Sequence, residues 1–114
     1  MVADGTTVWV ADGCWPNAAI SRIDTRTNAV VDTFVPGGNP VMLALGFGSL
    51  WAGVTANGVG AVHKGFVERI DPATGRVLGK IATDGGPPFG LAIGAGSVWA
   101  VATGTGTVLR IQPS

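Results

Sequence analysis

The chain has 114 residues, enough for one compact domain and little more. Charged residues make up 12%, against roughly 25% in an average soluble domain, and seven Lys+Arg balance seven Asp+Glu. Zero net charge, with Lys64 and Lys80 as the only lysines, excludes a broad nucleic-acid surface or an acidic-membrane surface, so neither partner is expected.

Gly (19), Pro (7) and many Val, Ile and Thr give strand-and-turn chemistry with few strong helix formers beyond Ala. In chain order, short apolar runs separated by Gly, Pro, Asn or Asp predict strands over 8–11, 20–24 and 29–35. They continue over 42–45, 50–54, 66–71, 77–82, 91–93, 98–102 and 108–112. Residues 1–3 stand where one more strand would end. Turn chemistry supports the gaps: Asp71-Pro72-Ala73-Thr74-Gly75 places Asp, Pro and a Gly able to take positive φ in turn order. No apolar run approaches the roughly 20 residues of a membrane-spanning helix, and Met1-Val2-Ala3-Asp4 lacks a basic-then-apolar leader. The single Cys14 forms no internal disulfide, and the compartment stays open.

The chain repeats itself. Gly46-Phe47-Gly48-Ser49-Leu50-Trp51-Ala52 returns as Gly94-Ala95-Gly96-Ser97-Val98-Trp99-Ala100, and a worn copy, Asp4-Gly5-Thr6-Thr7-Val8-Trp9-Val10, opens the chain. Arg22-Ile23-Asp24 returns as Arg69-Ile70-Asp71 and, weakly, as Arg110-Ile111-Gln112. Gly37-Gly38-Asn39-Pro40 and Thr27-Asn28-Ala29-Val30 have later counterparts in the same cyclic order. Four antiparallel strands per unit of about 45 residues is the period of a β-propeller blade. The expected fold is therefore all-β: a β-propeller fragment of about two and a half four-stranded blades, with blade boundaries near 1–35, 36–83 and 84–114. Such an arc is short of the four to eight blades of a ring, so it is either cut from a longer propeller or completed by oligomerisation.

The repeated residues have structural readings. Trp9, Trp51 and Trp99 are expected as inter-blade packing wedges, each burying roughly 150–250 Å². Asp24 and Asp71 are expected to cap turns, and Arg22, Arg69 and Arg110 to link blades.

The string from Gly90 to Ala100, with Val67-Glu68-Arg69-Ile70-Asp71-Pro72-Ala73-Thr74-Gly75-Arg76-Val77, resembles the bacterial propeller superfamily of YVTN-type repeats and streptogramin B lyases. The resemblance covers nearly the whole chain and implies the fold. The lyases are metal-assisted enzymes that use His and Glu near the ring centre. The one histidine here, His63, and the one glutamate, Glu68, stand outside any motif matched to that site.

Ligand residues are expected on the rim loops that join the second strand of each unit to the third, and one unit to the next. Asp12, Trp15, Asn17, Asn57, His63, Lys64 and Asp84 are the candidates there, for a small molecule or a carbohydrate. Trp15 lies off the repeat register, and the loop carrying His63-Lys64 is longer than its counterparts. No His or Cys pair has zinc-ligand spacing, and no metal, cofactor or catalytic residue is assigned. The expected function is a non-catalytic module that associates with itself head-to-tail into a closed ring, a dimer before a trimer, and serves as a binding or scaffolding unit. The alternative is a streptogramin B lyase-like, metal-assisted C–O lyase whose site forms only in the assembled ring.

Overall fold

The computed structural model describes residues 1–12, 18–36, 38–55, 65–83, 88–102 and 106–112. Among these the chain is all-β, with eleven strands in three antiparallel sheets and no helix. The first sheet holds β1 (Val2–Asp4), β2 (Thr7–Asp12), β3 (Ala19–Asp24) and β4 (Ala29–Phe34) in that spatial order. The second holds β5 (Asn39–Gly46), β6 (Ser49–Thr55), β7 (Gly65–Ile70) and β8 (Val77–Ala82), and the third β9 (Pro88–Gly94), β10 (Ser97–Ala102) and β11 (Thr107–Ile111). The body is flat, 42 × 35 × 19 Å.

Two differences from the sequence reading concern β1, β5 and β9. Residues 2–4 form a full, if short, strand paired to β2 through Val2–Trp9, Ala3–Val8 and Asp4–Thr7, which makes eleven strands where ten were expected. The strands expected over 42–45 and 91–93 begin earlier, at Asn39 and Pro88, and contain a proline each. Proline reads as a strand breaker because it donates nothing to the ladder. Here β5 and β9 are edge strands, each with one neighbour in its sheet, so a missing N–H on the open side costs nothing. The ladder slips by one residue between Pro40 and Met42 to accommodate it.

The hairpins joining β5 to β6 and β9 to β10 have positive φ at both central residues: 53° and 71° at Phe47-Gly48, 50° and 74° at Ala95-Gly96. That pattern matches the strand twist of a two-residue hairpin. In the first hairpin only Gly5 is positive, at 59°, because the β-branched Thr6 stands where the others have glycine. Asp24 and Asp71 cap turns as expected: Asp24 Oδ1 accepts from the Arg26 N–H and Asp71 Oδ1 from the Ala73 N–H, each at 2.9 Å.

The core lies between sheets in two layers. One joins Trp9 and Ile20 of the first sheet to Leu43, Leu50, Ala52, Val54 and Ile70 of the second. The other joins Ala44, Trp51 and Val67 of the second to Val98, Ala100 and Ile111 of the third. Sheets come closest where β1, β5 and β9 approach one another. There a Cβ on Gly53 would stand 2.5 Å from the Pro88 carbonyl oxygen, so only glycine permits that approach. The outer strands β4 and β8 leave Val30, Val31, Val77, Leu78 and Ile81 exposed.

Candidate functional site

Of the residues expected to bind ligand, Trp15, Asn17, Asn57, His63, Lys64 and Asp84 lie outside the described residues. Asp12 is exposed at the end of β2, opposite Ala19. The described residues bring together a different site, at the opposite end of the strands. A cavity of about 340 Å³ opens between the first two sheets, lined by Asp4 and Trp9 on one side and by Leu45, Gly46, Ser49 and Pro72 on the other.

Its chemistry follows from a comparison of the three sheets. Trp51 Nε1–H donates to the Gly46 carbonyl at 3.1 Å, and Trp99 Nε1–H to the Gly94 carbonyl at 2.9 Å. Arg69 Nε–H donates to Ser49 Oγ at 2.8 Å, and Arg110 Nε–H to Ser97 Oγ at 2.9 Å. The first sheet keeps the Trp and the Arg, directly opposite each other as Trp9 and Arg22, but changes the acceptor side of both bonds. Asp4 replaces Gly46 or Gly94, and Thr7 replaces Ser49 or Ser97. Trp9 Nε1 and Arg22 Nε are consequently buried with no partner among the described residues. A buried donor left unpaired costs about 1–3 kcal/mol, so two of them on one face is an expensive arrangement.

Arg22 is not idle. Its Nη1–H donates across the layer to the Ala73 carbonyl at 3.0 Å, and Asp32 lies 3.8 Å from Nη2. This is the link between sheets expected of the repeated arginines, whereas Arg69 and Arg110 bond within their own sheets. Each of those two lies over its tryptophan, 5.1 Å and 5.7 Å from the ring centroid.

The second feature of note is Glu68, fully buried on the face of β7 turned to the first sheet. Lys80, opposite it on β8, brings its ammonium to 3.6 Å from the carboxylate and 4.6 Å from the Phe66 ring centroid. A carboxylate that is buried and matched by a cation is a structural element as much as a reactive one. Among the described residues no three His, Cys, Asp or Glu side chains are grouped to hold a metal ion.

The sequence reading missed the cavity. The signal available was the departure of Asp4-Gly5-Thr6-Thr7 from the Gly-x-Gly-Ser of the later copies, which reads as wear until the orphaned donors are seen. No protein-family model matches the chain, and no curated protein matches it significantly.

Proposed function

We propose that the chain is an arc of a β-propeller, a non-catalytic module that associates with itself head-to-tail into a closed ring and serves as a binding or scaffolding unit. The observation that carries this reading is a pair of equivalent valines. Val67 on β7 is fully buried beneath the third sheet, whereas Val108, at the same place on β11, is 61% exposed.

The faces explain the difference. Twice within the chain a face bearing Trp and Arg packs on a face bearing a branched aliphatic, Ala or Val, and Ile. Trp9 and Arg22 meet the Leu50-Ala52-Ile70 face, and Trp51 meets the Val98-Ala100-Ile111 face. One copy of each kind is left over. Strand alternation puts Trp99, Arg110, Val101 and Val108 on the outer face of the third sheet, with Val8, Val10 and Ile23 on the outer face of the first. A second copy offers each leftover face the partner it already has inside the chain. The natural occupant is therefore the same protein.

A sheet face of this size buries about 800 Å² per partner, an ordinary specific interface. Zero net charge removes the repulsion that would oppose it. Unlike faces make a heterologous contact, which closes when the arc curves. Two copies supply about five to six blades, inside the four to eight of known rings, which favours the dimer.

Complementation tests the reading. Val108→Glu spoils one face and Val10→Glu the other, so each variant alone runs as a monomer. Mixed, they retain one intact pair of faces and form an open heterodimer. Two variants that stay monomeric when mixed would contradict head-to-tail contact.

A further inference from the structure

We propose that the cavity between the first and second sheets is a binding site for a neutral saccharide, held through adjacent hydroxyl groups. It lies within one chain and does not depend on association.

Three observations converge on that ligand class. First, Trp9 lines the cavity, is 95% withdrawn from solvent, and has an indole N–H with no acceptor among the described residues. The equivalent Trp51 N–H is satisfied inside its own sheet and offers nothing. Second, the replacement that orphans Trp9 also installs a carboxylate, Asp4, in the same wall. The ligand must therefore accept from an N–H and donate to a carboxylate within one small space. A hydroxyl does both, and a vicinal diol presents two donors to the two carboxylate oxygens. A carboxylate ligand is repelled by Asp4, and an ammonium has no lone pair for Trp9. Third, Leu45 and Pro72 give the cavity an apolar wall, suited to the C–H face of a pyranose ring. Its 340 Å³ falls at the small end of the roughly 300–1,000 Å³ usual for small-molecule sites, room for one or two rings.

The test uses the full-length ¹⁵N-labelled chain. Methyl α-glucopyranoside, methyl α-mannopyranoside and methyl β-galactopyranoside are titrated while the tryptophan indole N–H resonances are followed, Trp9 being assigned with Trp9→Phe. Cyclohexanol, acetate and methylammonium are the controls. At least one glycoside is expected to shift the Trp9 resonance saturably and leave Trp51 and Trp99 in place. Asp4→Ala, at an exposed position, is expected to keep the fold and the solution mass while weakening binding at least about tenfold, or 1.4 kcal/mol. The proposal is overturned if no glycoside gives a saturable shift by roughly 50 mM, where even a weak millimolar site would fill. It is equally overturned if Asp4→Ala binds as well as the parent chain, or if a control ion binds more tightly than the sugars.

Discussion

Arg69 lies directly across the ladder from Trp51, its guanidinium 5.1 Å from the indole centroid, and the same relationship joins Arg110 to Trp99. The two pairs differ in what covers them. Trp51 is 1% exposed beneath the third sheet, while Trp99 is only partly covered by its own strand neighbours. Trp51→Ala is expected to cost about 3–5 kcal/mol, as large-to-small changes of buried aromatics do. Trp99→Ala is expected to cost the isolated chain well under half of that and to weaken association instead. Denaturant unfolding at low protein concentration, with light scattering at high concentration, separates the two effects.

Much of this was legible before the structure because the chain repeats. Trp51 and Trp99 stand in matched strings, so their shared hydrogen bond to the residue five positions earlier belongs to a pattern visible in the letters. The Asp-Pro-x-x-Gly turn and the Asx caps were legible for the same local reason. Pro40 and Pro88 were not. Their tolerance depends on the strand being a sheet edge, a fact of tertiary arrangement that no local rule contains. The cavity was illegible for a further reason. Asp4 and Thr7 look like drift until the structure shows which donors they have deprived of acceptors.

Close approach of the second and third sheets makes Gly53 a sensitive position. A Cβ there meets the Pro88 carbonyl oxygen at 2.5 Å and the Met42 side chain at 3.4 Å. Gly53→Val is expected to destabilise by about 1–3 kcal/mol or more, the ordinary range for overpacking. The third sheet carries the reverse arrangement, Val101 opposite Gly90. Val101→Gly is therefore expected to cost less than Gly53→Val in thermal melts, since Val101 faces outward.

Glu68 and Lys80 give an asymmetric pair of variants. Lys80 is 43% exposed, so Glu68→Gln leaves its ammonium solvated. Lys80→Met instead leaves a buried carboxylate without its cation. Breaking a fully buried pair costs about 3–5 kcal/mol, and the exposure of Lys80 discounts this to roughly 1–3 kcal/mol. Lys80→Met is thus expected to be the more damaging change, measured as the shift in denaturation midpoint.

At low pH the group to follow is Asp24. The side-chain hydrogen bond from Arg26, reinforced by the Arg26 backbone N–H, lowers its pKa below the ordinary carboxylate value. A lowered folded-state pKa means that the contribution is fully present above the unfolded value of about 3.9 and is lost as pH falls through the lowered one. Titrating the Asp24 carboxyl carbon by NMR is expected to give a midpoint below that of a free aspartate. Arg26→Ala is expected to return it toward the ordinary value.

The central claim is that the outer faces of the first and third sheets belong against each other, and solution mass tests it most directly. Multi-angle light scattering at micromolar concentration is expected to return twice the 11.4 kDa chain mass, or three times it, and a single discrete species in either case. Val108→Glu is expected to collapse that species to the chain mass while leaving the circular dichroism of a folded β protein. A wild-type chain that is folded, stable and monomeric at 11.4 kDa under the same conditions would contradict the account.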